Sequence, residues 1–349
     1  MTVLLPAPRV RPPASGGGPL ADAYGRVATD LRLSLTDRCN LRCTYCMPAE
    51  GLEWLPRPDL LDDDEIVRLV RIGVQRLGIT TVRLTGGEPL LRRGLEELVG
   101  RLAALDPAPA LALTTNGIGL AGRAEALARA GLHRVNVSLD TIDPDIFATM
   151  TRRRRLPDVL AGVRAARAAG LDPVKINTVL MRGLNDHEAP ALLRWAMAEG
   201  VQLRFIEQMP LDAQHGWQRD TMVTAAEVRE RLSAELTLVV DPEHAAARGS
   251  APAELFRVAG TAHTVGIIAS VTQPFCGACD RVRLTADGQI RTCLFARQES
   301  DLRGLLRSGA DDGQIADAWV VAAAGKQPGH GINDPSFLQP DRPMSAIGG

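Results

Sequence analysis

Residues 31–48 read LRLSLTDRCNLRCTYCMP and combine a strand pattern with a run of cysteines. Leu31, Leu33 and Leu35 alternate with polar side chains, which is typical of a β-strand with one apolar face. Three cysteines follow at once in the spacing C-x3-C-x2-C. In folds built of alternating strands and helices, ligands bind at the carboxyl ends of the strands. The stretch therefore predicts a strand that leads directly into a loop of metal-ligating residues.

The strand pattern returns five more times, and amphipathic stretches of helical period separate the repeats. The six strand segments are Leu31–Thr36, Thr81–Thr85, Ala110–Thr115, Arg134–Asp140, Pro173–Leu180 and Gln202–Gln208. The helical stretches are Asp62–Leu77, Gly94–Leu105, Leu120–Ala130, Pro157–Ala169 and Asp186–Glu199. This alternation predicts an α/β fold with a parallel sheet. Right-handed crossovers would roll the sheet into a barrel or a doubly wound layer.

The second face of these strands is polar. It carries Arg32, Ser34, Thr36, Arg83, Thr85, Asn136, Ser138, Asp140, Lys175, Asn177 and Arg204. A closed eight-stranded barrel fills its interior with Val, Ile and Leu, and burying unpaired polar groups costs on the order of several kcal/mol each. We therefore predict a partial, open parallel βα barrel of about six units that holds solvent or a ligand. The alternative is a sheet whose polar face lies in water.

The rhythm of strands and helices suggests four parts of the chain. Residues 1–25 are rich in Pro, Gly and Ala and predict a disordered N-terminal arm. Residues 26–230 carry the predicted barrel. Residues 231–325 carry the second group of cysteines and two short strand patterns joined by an Asp-Gly turn, which predict a smaller C-terminal layer. Residues 326–349 form a tail that ends in Gly-Gly.

The charge balance argues against binding by bulk charge. The chain has 40 Lys and Arg against 41 Asp and Glu, a net charge of -1, so we expect neither nucleic acid nor an anionic membrane as partner. There is no run of about 18 apolar residues, and prolines interrupt the N-terminal stretch where a signal peptide needs apolar residues. We therefore expect a cytoplasmic protein whose six cysteines bind metal or serve catalysis.

The six cysteines form two triples. They are Cys39, Cys43 and Cys46, and Cys276, Cys279 and Cys293. Structural zinc needs four protein ligands, and the nearest additional candidate, His263, lies 13 residues before Cys276. A four-iron cluster held by three thiolates leaves one iron open to another ligand. The triples therefore favour two [4Fe-4S] clusters, with zinc as the alternative.

Cations from four strands meet in the predicted interior. They are Arg32, Arg83, Lys175 and Arg204. Like charges in one cavity repel each other unless an anion neutralises them, and phosphate is a common partner of such groups. Because Lys175 and Lys326 are the only lysines in an arginine-rich chain, Lys175 is the clearest candidate. The alternative is local pairing with carboxylates such as Asp140 or Glu207.

Three motifs together resemble a known family. Residues 37–48 resemble the signature loop of the radical S-adenosylmethionine (SAM) superfamily, and residues 85–89, TGGEP, resemble its glycine-rich turn. With the second cysteine triple and the chain end RPMSAIGG, residues 342–349, the sequence is similar to the GTP 3',8-cyclases of molybdenum-cofactor biosynthesis. The resemblance extends from residue 26 to the C-terminus.

The resemblance implies SAM and two [4Fe-4S] clusters as cofactors, with one cluster on each cysteine triple. It implies that SAM contacts Tyr45, Gly87, Ser138 and Met209. It implies that GTP contacts Arg32, Arg83, Thr114, Lys175, Arg281, Val282 and Arg283. Arg281 and Arg283 share one strand face and are the catalytic candidates. Gly86 and Gly87 are expected to let the backbone approach the methionine moiety of SAM, and Glu88 to accept a hydrogen bond from its ammonium group.

The implied reaction is that of a lyase. An electron from the first cluster cleaves SAM, the 5'-deoxyadenosyl radical removes hydrogen from C3' of GTP, and the C3' radical attacks C8 of guanine. Reduction then gives 3',8-cyclo-7,8-dihydro-GTP. The expected partners are GTP, a reducing electron donor and the next enzyme of the pathway, and the expected state is a monomer or a homodimer. The alternatives are another radical SAM enzyme with an auxiliary cluster, such as a peptide-modifying enzyme, and a zinc-stabilised binding module.

The end of the chain predicts a functional tail. Segments 328–331 and 335–343 are too rich in turn residues to predict a helix or strand, so fraying is the default. Two terminal glycines, however, can pass close to a ligand because they have no side chains, and the ending of the family is the same. We expect Gly348 and Gly349 to enter the cavity and to position Arg281 or a neighbouring group.

Overall fold

The computed structural model describes residues 16–240, 242 and 248–348. Its strands are β1 (Leu20–Ala21), β2 (Val27–Ala28), β3 (Asp30–Ser34), β4 (Thr81–Thr85), β5 (Ala110–Thr115), β6 (Arg134–Ser138), β7 (Val174–Val179), β8 (Gln202–Ile206), β9 (Leu238–Val240), β10 (Glu254–Val258), β11 (Thr264–Ile268), β12 (Arg281–Leu284), β13 (Gln289–Arg291) and β14 (Ser300–Asp301). Its helices are α1 (Asp63–Leu77), α2 (Leu95–Ala103), α3 (Ala124–Arg129), α4 (Pro144–Thr151), α5 (Leu156–Ala168), α6 (Ala189–Glu199), α7 (Ala225–Ser233), α8 (Leu302–Arg307), α9 (Asp312–Ala324) and α10 (Met344–Ile347). The six predicted strand segments correspond to β3 through β8.

Twelve strands form one sheet in the order β14-β13-β12-β3-β4-β5-β6-β7-β8-β11-β10-β9. The central eight, from β12 to β11 in this order, are all parallel to their neighbours. The two outermost strands at each side are antiparallel. The predicted α/β fold with a mostly parallel sheet is confirmed. Within the described residues the outermost strands, β14 and β9, do not pair with each other, so the sheet is open.

The C-terminal strands join this sheet, which corrects the prediction of a separate smaller layer. β9 to β11 extend it beyond β8, and β12 to β14 extend it beyond β3. The physical reason is that β3 and β8 would otherwise expose unpaired backbone edges. The sequence reveals a strand from its own pattern but does not reveal which edge is free to receive it. The predicted hairpin between β12 and β13 is present.

Helices cover the apolar face of the strands, and α1 shows how the sequence determines one of them. The Asp62 side chain accepts a hydrogen bond from the Glu65 backbone at its start, and Gly78 ends it with a φ of +78°. Its buried apolar residues are Ile66, Leu69, Val70, Ile72, Val74 and Leu77. They pack with the leucines and valines of the strands in one core, which leaves the polar strand face on the other side. None of the described helices is long and apolar enough to span a membrane.

Residues 16–25 are ordered, contrary to the predicted disordered arm. β1 and β2 pair as an antiparallel hairpin, and Leu20 is only 1% exposed within the main core. The backbone N–H of Gly16 donates a hydrogen bond to Asp317 Oδ1 in α9. Composition predicted disorder because these contacts with α9 are tertiary and leave no local pattern. Residues 1–15 of the predicted arm lie outside the described residues.

Candidate active site

The glycine-rich turn after β4 holds the first cysteine loop in place. The Gly87 N–H donates to the Thr36 carbonyl (2.7 Å) and the Glu88 N–H donates to the Arg38 carbonyl (2.7 Å). A Cβ on Gly86 would collide with the Thr36 carbonyl oxygen, and a Cβ on Gly87 would collide with that of Arg38. Backbone hydrogen bonds thus join the two segments that follow β3 and β4 as far as Arg38, the residue before the first cysteine. Glycine is needed here for the close approach of two protein backbones, beyond the approach to SAM that the sequence predicted.

The three cysteines of the first triple are half-buried. Burial and the neighbouring Cys39 raise the pKa of Cys46 to about 12, and burial also raises the pKa of Cys43. The Asn116 side chain donates to Cys39 Sγ (3.8 Å), and the Ser345 backbone acts to lower the pKa of Cys46 against the larger effect of burial. Such thiols ionise when a bound metal supplies positive charge. Three thiols in one loop fit an iron–sulfur cluster with one open iron.

Glu88 is enclosed by protein groups, and its expected contact with the ammonium group of SAM stays a prediction. Its carboxylate has 0% exposure and accepts hydrogen bonds from Thr115 Oγ1 (2.7 Å), the Leu90 N–H (2.9 Å) and the Asn116 N–H (2.7 Å). Burial raises its pKa to about 7. The Asn116 side chain in turn donates to Asn40 Oδ1 (2.7 Å). Glu88 therefore ties the end of β5 to the cysteine loop.

The residues expected to contact SAM come from the carboxyl ends of four parallel strands. Gly87 follows β4, Ser138 ends β6, and Tyr45 and Met209 follow β3 and β8. The Tyr45 hydroxyl donates to Asp140 Oδ2 (2.7 Å), so its proton is not available to a ligand. Ser138 and Met209 are half-buried. Ligands of parallel sheets bind at this edge, and the four SAM contacts stay predictions.

Three arginines lie side by side on the polar face. The Cα positions of Arg283, Arg32 and Arg83 are partners across β12, β3 and β4. Arg32 forms a bidentate ion pair with Asp30, with Nε–Oδ1 and Nη2–Oδ2 distances of 3.0 and 3.1 Å. The local pairing that the sequence left open as an alternative therefore holds for Arg32. Its partner is Asp30, two residues away on the same strand face.

Arg83 has no such partner among the residues that the structure describes. It is 8% exposed, and its Nε and Nη1 have no hydrogen-bond acceptor. Burial and the charge of Arg32 hold its pKa well below the usual range. Leaving a buried cation unpaired costs on the order of several kcal/mol. Arg83 is therefore placed to donate hydrogen bonds to a ligand.

Lys175 also lacks a carboxylate partner in the described part of the chain. Burial and the charge of Arg204 lower the pKa of Lys175 to about 8. Arg204 donates through Nε and Nη2 to the neutral Asn177 Oδ1 (3.0 and 2.7 Å). The two carboxylates considered as partners are engaged elsewhere, because Asp140 accepts from a tyrosine hydroxyl and Glu207 accepts four hydrogen bonds from backbone and hydroxyl groups. Local pairing does not account for Lys175.

Sequence reasoning missed Arg134, the first residue of β6. Beside burial, its charge contributes to the lowered pKa of Arg83, Lys175 and Arg204. The signal was available, because Arg134 lies two residues before Asn136 and so shares its polar face. Asn136 donates to Thr114 Oγ1 (3.5 Å), which places Thr114 among the same residues.

The second triple has cationic surroundings. Burial raises the pKa of Cys276, and the neighbouring Cys293 and Cys279 add to this shift. Burial acts in the same direction on Cys279, but the charges of Lys326 and Arg281 outweigh it, and the pKa of Cys279 is lowered. No three His, Cys, Asp or Glu side chains among the described residues are close enough to hold a single metal ion. The assignment of clusters therefore rests on the spacing and chemistry of the thiols.

The residues of β12 differ in what they can offer to GTP. The Arg281 guanidinium donates to the Ser250 carbonyl. The Val282 side chain is 1% exposed and packs in the main core. Only the backbone of Val282 could therefore contact GTP. Arg283 is buried and donates to the Gly348 carbonyl. Burial and neighbouring arginines lower the pKa of Arg283 to about 9.

The C-terminal tail is ordered and ends in a short helix, α10, which the turn-rich sequence did not predict. Arg342 anchors it through a bidentate ion pair with Asp287 (2.9 and 2.7 Å). A Cβ on Gly348 would collide with Thr85 Oγ1 on β4. The tail therefore lies against the polar face of the sheet. Gly349, the second glycine of the predicted pair, lies outside the described residues.

Comparison with known proteins places the chain in a family. Residues 33–196 match the model of the radical SAM superfamily, and residues 201–332 match that of molybdenum cofactor synthesis C. A protein named GTP 3',8-cyclase from Streptomyces coelicolor is 65% identical, covering 96% of this chain and 97% of its own length. One of the same name from Mycolicibacterium smegmatis is 62% identical, covering 97% of this chain and 94% of its own length.

Solved structures agree with the fold. The crystal structure of Streptococcus suis SuiB bound to S-adenosylmethionine aligns with a TM-score of 0.58 at 14% identity, covering 83% of this chain and 68% of SuiB. At this identity the likeness concerns the fold alone. Sequence identity over nearly the full length, together with both family models, shows that the chain belongs to the radical SAM superfamily and, within it, to the GTP 3',8-cyclases.

Proposed function

We propose that this protein is a lyase that uses SAM and two [4Fe-4S] clusters to convert GTP into 3',8-cyclo-7,8-dihydro-GTP, the first step of molybdenum-cofactor biosynthesis. Its relatives carry this enzyme's name. The observation that carries the proposal is Arg83, a buried guanidinium whose Nε and Nη1 lack acceptors and which is surrounded by further cations. A triphosphate supplies the anionic oxygens that such a group needs.

The polar face would form the inside of a partial, open barrel. Arg32 on β3 and Arg204 on β8 are five strand steps apart in the sheet, which is about 24 Å on a flat sheet. After burial, the charge of Arg32 is nevertheless the largest contribution to the lowered pKa of Arg204. Rolling of the sheet brings these side chains toward each other. We assign the barrel to residues 26–230, the second cluster and part of the substrate site to 231–325, and the closing tail to 326–349.

The tail supports one shared cavity for both cysteine triples. Its Ser345 backbone acts to lower the pKa of Cys46 in the first triple, although burial is the larger effect, and its Gly348 carbonyl accepts from Arg283. The thiols of the second triple contribute to the pKa of Arg283, although burial is the larger effect. Three residues of chain span at most about 10 Å. On this basis we place the two triples within reach of one nucleotide.

In this proposal, the bound groups supply the radical chemistry and the chain supplies position. When bound, SAM and the first cluster would supply the 5'-deoxyadenosyl radical, and Cys276, Cys279 and Cys293 would hold a second cluster beside the guanine ring. Arg83, Lys175, Arg204 and the newly recognised Arg134 hold the triphosphate, and the Thr114 hydroxyl adds a neutral contact. Arg281 and Arg283 orient the nucleotide beside the second triple. Fixing the triphosphate at one end of the cavity orients C3' toward the radical.

The first prediction concerns Arg83. Replacing Arg83 by methionine removes a charged donor but keeps an apolar stem, so GTP affinity should fall about 10- to 100-fold, the value of one charge-assisted hydrogen bond. SAM affinity and the iron content of both clusters should not change. Equilibrium dialysis with GTP and with SAM measures both affinities. The matched control is Arg154→Met, because Arg154 lies on the surface with 79% side-chain exposure. Unchanged GTP affinity in both Arg83→Met and Lys175→Ala would refute the cavity assignment.

The second prediction concerns pH. The pKa of Lys175 is about 8 in the free protein, and a phosphate partner favours its charged form. GTP binding should therefore be strongest below pH 8 and weaken as pH rises through 8, by about tenfold at pH 9 relative to pH 7. Lys175→Arg keeps its charge throughout this range and should lose most of the dependence. A titration in which both proteins weaken equally would show that another group is responsible.

The whole function is tested by anaerobic incubation with SAM, dithionite and GTP. We expect 5'-deoxyadenosine and the cyclic nucleotide together, in a protein that contains iron and sulfide at both triples. Deoxyadenosine without a cyclic product of GTP would point to a different substrate. A colourless protein that contains zinc would refute the assignment as a radical SAM enzyme. The electron donor, the cytoplasmic location, the monomeric or homodimeric state and a contact with the next enzyme of the pathway stay predictions.

A further inference from the structure

Lys326 is the second of the two lysines, and the reaction described above gives it no role. It follows the end of α9 and is 6% exposed. Its ammonium donates to the Cys279 carbonyl (3.0 Å), the Arg281 carbonyl (2.9 Å) and Cys279 Sγ (3.4 Å). An ammonium group has three N–H donors, so all three are engaged in the loop that carries the second triple.

No carboxylate forms an ion pair with Lys326 in the part of the chain that the structure describes. Two of its three acceptors are neutral carbonyls, and a buried cation needs an anion to offset the cost of its burial. Cys279 Sγ is the one acceptor among the three that can carry negative charge. The arrangement therefore suits a thiolate that belongs to a bound cluster.

A second buried cation fixes the segment that carries Lys326. The Arg26 guanidinium donates to the Cys276 carbonyl (2.8 Å) and to the Pro328 carbonyl (2.9 Å). The His330 backbone acts to lower the pKa of Cys276, against the larger effect of burial. Residues 326–330 thus bring a charged hydrogen bond to Cys279 Sγ and lie beside Cys276 of the same triple.

We propose that Lys326 is a positioning residue for the second cluster and raises its reduction potential through the charged hydrogen bond to Cys279 Sγ. One-electron reduction adds one negative charge to a cluster. Hydrogen bonds donated to its sulfurs and positive charges near them therefore favour the reduced form. The inference rests on the proposed second cluster. It goes beyond the proposed function because it assigns a determinant of the potential of that cluster to a residue that is neither a ligand nor a substrate contact.

The test compares Lys326→Met with Lys326→Arg in the full chain. Both are made in a background in which Cys39, Cys43 and Cys46 are serine, so that only the second cluster contributes to the spectrum. Iron and sulfide are assayed first, and the cluster is then titrated with dithionite and redox mediators while its paramagnetic signal is recorded. Arg297→Met is the matched control, because Arg297 is an exposed cation four residues after Cys293.

Lys326→Met should bind a full cluster but show at least a tenfold lower ratio of reduced to oxidised cluster at a fixed potential, which corresponds to a shift of about 59 mV for one electron. Lys326→Arg should stay near the parent value, and so should Arg297→Met. The same shift is expected in the second-cluster signal of the two-cluster enzyme.

Three results distinguish failure of the proposed function from failure of the inference about Lys326. If the parent protein binds no second cluster, the proposed function itself fails. If Lys326→Met binds a full cluster at an unchanged potential, only the present inference is overturned. If Lys326→Met does not assemble the cluster, Lys326→Gln, which keeps a donor without the charge, replaces it. Loss of the cluster in Lys326→Gln as well, or in Lys326→Arg, would show a purely structural role and overturn the inference.

Discussion

Replacing Cys43 by serine is expected to abolish SAM cleavage, whereas replacing Cys279 by serine should leave uncoupled cleavage and stop formation of the cyclic nucleotide. Cys43 belongs to the triple that follows β3, beside the strand ends at which SAM is expected to bind. Cys279 belongs to the triple beside β12, with Arg281 and Lys326 as neighbours. Loss of one ligand should therefore remove one cluster and spare the other.

The separate surroundings of the two triples support this division. Asn116 donates to Cys39 of the first triple, whereas Arg26 and Lys326 donate to the loop of the second triple. None of the hydrogen bonds described for these groups links one triple to the other. A defect in one loop should consequently not unfold the other loop.

The measurement is anaerobic turnover with SAM, dithionite and GTP, with deoxyadenosine and cyclic nucleotide quantified separately. Ala278→Ser is the matched control for the second triple, because it introduces the same side chain at an exposed position in the same loop. It should retain both products. If Cys279→Ser forms no deoxyadenosine although its first cluster is intact by spectroscopy, the two triples do not divide the work in this way.

The strands and their two faces could be predicted because a parallel sheet imposes a period of two on the sequence. Leu31 and Leu33 are fully buried in the core, and Arg32 between them lies on the opposite face in register with Arg83. What a side chain meets on that face could not be predicted. Arg32 is paired with Asp30, while Nε and Nη1 of Arg83 have no acceptor in the described part of the chain, although both arginines looked alike in the sequence.

Contacts between distant segments account for most of the remaining differences. Glu88 looked accessible because it follows two glycines, yet three hydrogen bonds from the turns that surround it enclose it. Lys326 could be recognised as unusual from composition, but its bond to Cys279 joins residues 47 apart in the chain. Such contacts depend on the order of strands in the sheet, and local periodicity carries no information about that order.

The largest effect outside the cysteines is expected at the end of the chain. Deleting Gly348 and Gly349 removes the carbonyl that accepts from Arg283 and the segment that packs against Thr85. Arg283 would then be free to turn away from the nucleotide, and a displacement of about 1 Å can cost about 100-fold in rate. We expect at least that loss of cyclic product, with both clusters and SAM affinity unchanged. A C-terminal tag should cause similar harm.

A substitution distinguishes the position of the tail from its mere presence. Gly348→Ala places a methyl group against Thr85 Oγ1 and within 3.2 Å of Ser34 Cβ, at a φ of +84°. Gly309→Ala is a matched control, because Gly309 has a φ of +85° but open space around its Cβ position, so the backbone strain is the same. If only Gly348→Ala loses the cyclic product and still cleaves SAM, the collision displaces the tail from the cavity. If both variants turn over GTP fully, and the truncated enzyme does too, the tail has no part in catalysis, and the bond from Arg283 to Gly348 serves only to close the fold.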